Sequence, residues 1–258
     1  MTSRLLMPWR GAHVRAETAA GGGGSTRATA ILDWDQPVVA ALVERVRQQA
    51  GAGAEARAVL RVAHGVIARE VRPVYSVEDR HPVSRTLRLG RGSCSQRMGV
   101  LEAVARAVGV RTRVRGLMVD GAFWYPRFPR LKPFVPERVL LAWPEFLIGR
   151  EWVPVGELFD GVAGSGEAFS NRGGETLFDA VARVGVDWSG SVSCGAQGGM
   201  ACDLSAQVLA DLGYFDSRDE LFERHGQTLC RPARTCLEPV LGRWSAGARL
   251  LASTGYRQ

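Results

Sequence analysis

The chain contains 258 residues, with 33 Lys and Arg against 26 Asp and Glu and a formal net charge of +7. A content of 46% apolar and 23% charged residues is typical of a globular protein and excludes a largely disordered chain or a fibrous repeat. No apolar run approaches the roughly 18–20 residues of a membrane-spanning helix. The first residues lack the apolar core of a secretory signal, so we expect a cytoplasmic protein without a membrane partner.

The positive charge is spread along the chain rather than concentrated. Only one cation is a lysine, Lys132, and the arginines form no long run. Scattered cations are typical of a solvated surface and not of a nucleic-acid interface. We therefore predict no nucleic-acid partner.

The sequence has five cysteines: Cys94, Cys194, Cys202, Cys230 and Cys236. The spacing of the last four matches no common zinc module, and we interpret them as small buried residues. We predict neither a metal nor a cofactor.

Apolar spacing and turn residues predict the following elements in chain order. Residues 1–25, which end in a glycine run, form a mobile leader. The upstream elements are a short strand over Ala28–Leu32, a helix from Asp35 through Val46, a helix over Glu55–Val71 and a polar irregular stretch over 76–93. The central elements are an amphipathic helix from Cys94 or Ser95 to Gly109, a strand over Thr112–Val119, an aromatic loop over 122–136 and a hairpin of strands Arg138–Leu147 and Glu151–Val155. The last elements are a Gly/Ser-rich loop over 161–175 and helices near Glu175–Val184, Leu204–Leu212 and Ser217–Arg224.

These elements predict an α+β fold in which a nucleophile helix packs on a small antiparallel sheet, with helical N- and C-terminal additions. We divide the chain into the leader 1–25, a helical part with the core over 26–158, and a region 159–258 that closes the site. The alternative is an α/β-hydrolase, which requires a parallel sheet of about five strands through residues 85–155.

Cys94 is the residue most suited to chemistry. It follows a glycine-rich turn with Gly90 and Gly92 and opens a helix. Backbone N–H groups at a helix start stabilise a thiolate, lower the pKa of the thiol and can hold an oxyanion. We predict Cys94 as a nucleophile with Gly92 and Ser93 beside the substrate. A small buried cysteine after a turn is the alternative.

The stretch from Gly90 through Val114 resembles the transglutaminase-like superfamily of papain-type folds, in which a cysteine opens a helix that is followed by a strand. The stretch Leu141–Val155 is similar to the second strand, hairpin and third strand of that family. The Arg-Gly-Ser-Cys element is also similar to that of arylamine N-acetyltransferases. The resemblance covers about residues 85–158 and implies a cysteine enzyme with this fold.

Two positions depart from the family pattern. The family's histidine falls at Leu141, and its acid falls at Gly156. Either the fold is used without catalysis or the base comes from elsewhere. Asp120, at the end of the strand after the nucleophile helix, is a candidate for the acid, with a simple Asp-Gly turn as the alternative.

Four histidines are available as the base, and we favour His225 and then His81. The first follows a short helix in a segment long enough to fold back on the nucleophile helix. The second lies in the polar stretch before Cys94. A surface histidine is the alternative in each case.

The stretches Arg91–Met98 and Val119–Phe128 resemble the Dieckmann cyclases of tetramic-acid and pyridone antibiotic biosynthesis. That resemblance implies Cys94 as nucleophile, Asp120 as orienting acid and His225 as base. It also implies an acyl chain on an acyl- or peptidyl-carrier protein as the substrate, released as a ring.

The aromatic residues near the predicted site indicate a partly apolar substrate, with core packing as the alternative. The predicted substrate-binding side chains are Trp124, Tyr125, Phe128 and Trp143. Arg91, Arg97 and Arg127 are candidates to meet the acidic face of a carrier protein. Two other functions stay open: a transglutaminase-like hydrolase or amide-forming enzyme, and a non-catalytic binding protein.

Overall fold

The computed structural model describes residues 22–161, 167–190 and 202–246. Within these ranges the helices are α1 Pro37–Ala50, α2 Ala56–Glu70, α3 Val83–Leu89, α4 Cys94–Ala107, α5 Leu177–Ala180, α6 Arg218–His225 and α7 Arg231–Leu241. The strands are β1 Arg72–Pro73, β2 Arg91–Gly92, β3 Thr112–Asp120, β4 Arg138–Ile148, β5 Glu151–Pro154, β6 Val186–Asp187, β7 Cys202–Asp203 and β8 Val208–Phe215.

The main sheet has four strands in the order β5-β4-β3-β8, and every neighbouring pair is antiparallel. The register of β3 with β4 runs from Thr112 opposite Phe146 to Asp120 opposite Arg138. The two-residue strands form parallel pairs, β1 with β2 and β6 with β7. The predicted α+β fold with a small antiparallel sheet is confirmed, and the parallel sheet of an α/β-hydrolase is not formed in the described residues.

Helix α4 lies at the centre of the molecule. Every residue from Gln96 to Arg106 is buried, and α4 packs against α2, α3 and β4. One apolar cluster includes residues from Ile31 to Phe222 and so joins the N-terminal helices to the sheet. Gly116 on β3 permits close packing of α6, because a Cβ there would lie 2.7 Å from Leu221 Cδ1. The body of α4 is therefore enclosed by the core, while its first two residues, Cys94 and Ser95, stay partly accessible.

Several predicted elements differ from the structure. The helix expected over Leu204–Leu212 is wrong: most of that segment belongs to β8, which pairs with the exposed edge of β3. Pairing satisfies backbone groups that an edge strand would otherwise leave open. The stretch over 76–93, predicted as irregular, contains helix α3. The predicted strand over Ala28–Leu32 does not form. The predicted helix near Glu175–Val184 is reduced to the four residues of α5.

The last residues of the predicted leader are attached to the sheet. Ser25 and Thr112 exchange two backbone hydrogen bonds of 2.9 and 3.0 Å, and the Gly24 N–H donates to Asp216 Oδ1 at 2.8 Å. Residues 1–21 of that prediction lie outside the described residues. No helix in the described part of the chain combines the length and the apolar character needed to cross a membrane.

Candidate active site

Cys94 is the first residue of α4, and a capping box fixes the helix start. The Ser93 hydroxyl accepts from the Gln96 N–H at 3.2 Å, and Gln96 Oε1 accepts from the Ser93 N–H at 3.0 Å. This reciprocal pair satisfies two backbone donors that the first turn would otherwise leave unpaired. The Cys94 side chain is half-buried and packs against the core.

The same glutamine anchors the segment that precedes α3. Gln96 Nε2 donates to Ser76 Oγ and to the Glu78 carbonyl, each at 2.8 Å. From α7, the Glu238 carboxylate accepts from Ser76 Oγ at 2.8 Å and from the Val77 N–H at 2.7 Å. These bonds fix the Ser76–Asp79 segment against the start of α4.

Asp79, which lies at the end of this segment, is an acidic side chain close to Cys94 that the sequence analysis did not single out. Its N–H donates to Gln227 Oε1 at 2.8 Å, and its carboxylate accepts a hydrogen bond from the side chain of Ser95. Burial raises the pKa of Asp79 to about 6, although the Ser95 hydrogen bond and the positive charge of Arg218 oppose that rise. The only local signal was an acidic pair, Glu78-Asp79, in a polar stretch before the cysteine helix.

The pKa of the Cys94 thiol is raised, whereas its place at the helix start predicts a lowered value. Burial raises the pKa of Cys94, and the neighbouring Asp79 carboxylate raises it further. Arg127 and Arg97 lower it, and the Ser95 N–H also favours the thiolate. Our expectation of a lowered thiol pKa is therefore wrong, because desolvation and a negative charge outweigh the backbone donors.

Arg127 holds the aromatic loop against the region after β5. Its guanidinium donates to Asn171 Oδ1 at 3.0 Å, to the Ala246 carbonyl at 2.8 Å and to the Glu175 carbonyl. Arg97, by contrast, is fully buried under α5, where it donates to Asp179 at 2.8 Å. A buried Arg97 cannot meet a carrier protein, which corrects that expectation.

The two partners predicted for Cys94 are engaged elsewhere. Asp120 Oδ1 accepts from the Ala122 N–H at 2.8 Å and so caps the turn that follows β3. His225 packs edge-to-face on Phe215 with ring centroids 5.5 Å apart. Burial and the adjacent Arg224 lower its pKa. His225 is the last residue of α6, whereas Arg218, at the other end of that helix, donates a hydrogen bond to Ser95 of α4.

His81, the second choice for the base, lies at the start of α4. Its Nδ1 is 3.4 Å from Gln96 Nε2, which places it beside the capping residue. Burial lowers the pKa of His81, and Arg85 lowers it further. Both effects favour the neutral ring, while the carboxylates of Glu238 and Glu78 oppose them.

The family's histidine and acid positions are structurally closed. Leu141 is buried and lies opposite Leu117 within the sheet. A Cβ at Gly156 would lie 2.1 Å from the Val186 carbonyl oxygen, so no side chain fits there. Both positions are thus part of the packed core, and neither can hold a catalytic side chain.

The predicted substrate-binding residues divide into two groups. Gly92 and Ser93 are buried in the turn before α4, and Trp143 is buried against Trp188 with ring centroids 5.8 Å apart. Trp143 is therefore a core residue and offers no surface to a substrate. The aromatic-loop residues Trp124, Tyr125 and Phe128 are half-buried, and Phe128 packs on Tyr75 at 4.7 Å and on Trp244 at 6.2 Å.

The remaining cysteines occupy unrelated places. The thiol of Cys202 donates to the Phe169 carbonyl at 3.6 Å, Cys230 precedes α7 and Cys236 is exposed. The prediction of buried residues is thus wrong for Cys236, and Cys194 lies outside the described residues. In the described ranges no three His, Cys, Asp or Glu side chains are grouped as metal ligands.

Comparison with known families agrees with this architecture. The model of the transglutaminase-like superfamily matches residues 40–156, from within α1 to the end of the β4–β5 hairpin. These residues form a transglutaminase-like domain, and the match extends the predicted resemblance upstream to the N-terminal helices. Neither a curated protein nor a solved structure matches the chain.

The closed family positions lead to a prediction for Leu141→His. We expect no gain of ester or amide hydrolysis, because Gly156 leaves the imidazole without a carboxylate partner. Burying the ring should also lower the free energy of unfolding by about 1–3 kcal/mol. Hydrolysis assays and urea denaturation measure both effects, with Leu140→His as the matched variant on the same strand. Strong hydrolysis by Leu141→His alone would show that the family geometry is intact.

Proposed function

We propose that this protein is a cysteine-dependent acyl-transfer enzyme in which Cys94 takes an acyl chain from a thioester on an acyl- or peptidyl-carrier protein. The observation that carries the proposal is the place of Cys94 at the capped start of α4, next to a carboxyl group and opposite a β4 strand without histidine. The match to the transglutaminase-like superfamily supports a cysteine enzyme.

The lack of a histidine at the family's position, which is Leu141 here, favours a thioester over an amide. An amine leaving group must be protonated, and histidine usually supplies that proton in cysteine and serine acyl transfer. A thiol leaves as its thiolate without this help. Exchange of one thioester for another also changes the free energy little, since the bonds formed and broken are alike. A site with Leu141 and Gly156 is suited to this simpler exchange.

We further propose that the acyl-enzyme is released by a Dieckmann-type cyclisation that forms a tetramic acid or a related ring. A carbon between two carbonyl groups of the chain loses its proton and attacks the carbonyl carbon bound to the Cys94 sulfur. A C–C bond forms, the C–S bond breaks, and the sulfur leaves as the thiolate, which recovers the proton. Holding both ends in one site makes the step intramolecular, which is worth roughly 7–11 kcal/mol at best.

A cavity next to the start of α4 supports an anionic partner. It has a volume of about 460 Å³. Four arginines line it: Arg85, Arg91, Arg234 and Arg243. Two carboxylates in its wall are already engaged, Glu78 by Arg234 and Glu238 by the Ser76–Val77 backbone and hydroxyl. Within the described residues, the guanidinium groups of Arg85, Arg91 and Arg243 form no ion pair with these carboxylates and are suited to bind an acidic carrier protein.

The test is to incubate the protein with a β-ketoacyl-aminoacyl N-acetylcysteamine thioester. We expect an acyl adduct on Cys94, located by mass spectrometry of the intact chain and its peptides, and release of a cyclic product. Cys236→Ala, which removes an exposed thiol, is the matched control and should behave like the wild-type protein.

Each outcome decides between the functions. An adduct on Cys94 with a cyclic product supports the whole proposal. An adduct on Cys94 that is released as the free acid contradicts the cyclase and identifies the protein as a hydrolase. Absence of any adduct, with folded protein, contradicts acyl transfer and favours a non-catalytic binding protein.

A further inference from the structure

Three elements converge to bring the Asp79 carboxyl to the cysteine. The Ser76–Asp79 segment is bound by Gln96 of α4 and by Glu238 of α7, and Gln227 holds the Asp79 N–H. Gln227 Nε2 also donates to Glu78 Oε1 at 2.6 Å. These long-range hydrogen bonds fix the backbone of the Ser76–Asp79 segment.

A hydrogen-bonded series continues from this carboxyl into the core. The Ser95 hydroxyl donates to Asp79 and accepts from Arg218 at 3.0 Å. Arg218 in turn donates to the buried Glu102 carboxylate. Ser95 is the residue directly after Cys94, and its N–H faces the Cys94 sulfur. The Asp79 carboxyl and the Cys94 thiol therefore both lie at the first turn of α4.

We propose that Asp79 is the catalytic base that exchanges a proton with the Cys94 thiol, in the place that histidine fills elsewhere. The inference rests on the proposed acyl transfer. As the sulfur bonds to the thioester carbonyl carbon, its proton moves to the Asp79 carboxylate, and the departing thiolate takes that proton. In ring closure the carboxylate accepts the proton of the carbon acid and returns it to the Cys94 sulfur.

The electrostatics of the pair suit this exchange. The pKa of Asp79 is raised to about 6, so at neutral pH the carboxyl is mostly ionised yet more basic than an ordinary aspartate. The pKa of Cys94 is raised by burial and by that same carboxylate, so the thiol holds its proton more tightly than an ordinary cysteine does. The charged groups that face the pair are Arg218, Glu78 and Glu238 around Asp79, and Arg127 and Arg97 around Cys94.

The test is the pH dependence of Cys94 acylation by the N-acetylcysteamine thioester. In the wild-type protein the rate should rise as the pH passes the Asp79 pKa of about 6 and should reach a plateau above it. In Asp79→Asn we expect a rate about a hundredfold lower at pH 7 that increases about tenfold per pH unit as the thiol itself ionises. Asp79→Glu should still show a pH-independent rate at neutral pH, and the surface variant Asp211→Asn should have the same pH profile as the wild-type protein.

A second measurement shows that Asp79→Asn is folded. Since the pKa of Asp79 is raised on folding, its ionised form destabilises the native state above pH 6. The variant should therefore melt at the same temperature as the wild-type protein or higher at pH 8, and this gain should disappear only at about pH 3 or below, where the carboxyl is largely protonated in both the folded and the unfolded state.

An unchanged pH profile in Asp79→Asn, with the wild-type protein acylated, overturns this inference alone. If the plateau of the acylation rate is lost in Asp120→Asn and kept in Asp79→Asn, the inference is also overturned and the base is assigned to the end of β3. A wild-type protein that is alkylated by iodoacetamide on Cys94 but never acylated overturns the proposed function itself.

Discussion

Replacing Cys94 by alanine is expected to lower the turnover of a carrier-bound thioester by at least about a thousandfold while the protein stays folded. Cys94 alone among the described cysteines opens a capped helix beside a carboxyl group. Removing one half-buried sulfur should change the free energy of unfolding by about 1 kcal/mol or less. Steady-state assays and chemical denaturation measure the two quantities.

Two comparisons make this result specific. Cys94→Ser should also be nearly inactive, because a hydroxyl is far less acidic than a thiol in the same place. Alanine at Cys202, Cys230 or Cys236 should retain activity. If Cys94→Ala keeps more than a few per cent of turnover while another single cysteine variant loses it, the assignment of the nucleophile is wrong.

Replacing Glu102 by alanine is expected to destabilise the protein by about 3–5 kcal/mol. Glu102 and Arg218 form an ion pair whose side chains are 0% and 1% exposed. Removing the carboxylate leaves the Arg218 guanidinium buried without its counter-charge. Urea or guanidinium denaturation measures the loss, and the exposed Glu223→Ala on α6 should stay within about 0.5 kcal/mol of the wild-type protein.

The double variant Glu102→Met with Arg218→Met separates charge from packing. If the cost comes from an unpaired buried charge, removing both partners should recover much of the lost stability. The double variant should nevertheless lose acylation rate, since Arg218 also donates to Ser95. A double variant as unstable as Glu102→Ala would attribute the loss to packing alone.

The elements around Cys94 were predictable because their signals are local. Met98, Leu101 and Val104 recur at helical spacing, and Gly109 with a positive φ of 88° follows the helix end. The strands of the β4–β5 hairpin are marked by the turn Ile148-Gly149-Arg150 between two apolar runs. Such features depend on neighbours in sequence, and the structure confirms them.

Strand β8 was missed because its apolar residues have an ambiguous spacing. Leu204, Val208 and Leu212 recur every four residues, which predicts a helix. Pairing with β3, through two shifts in register, overrides that preference. The helix α3 was missed for the opposite reason, since a single short helix after Pro82 leaves too few residues to show a period.

The position of Asp79 was beyond sequence reasoning for a different reason. Its place is fixed by Gln227, 148 residues further along the chain, and by the capping residue Gln96. Neither contact leaves a trace in the local pattern. Asp120, at the end of a predicted strand, was the more visible carboxylate, but its side chain caps its own turn.

The contact at Gly156 has an evolutionary consequence. Glycine and aspartate codons can differ by a single nucleotide, so the family's acid is close to Gly156 in the genetic code. Yet the Val186 carbonyl lies 2.1 Å from where the new Cβ would be, and Trp143 Cζ2 lies 3.1 Å away. An aspartate at this position therefore requires the segment around β6 to move first. Single substitutions at Leu141 and Gly156 do not suffice to build a Cys-His-Asp triad in this fold.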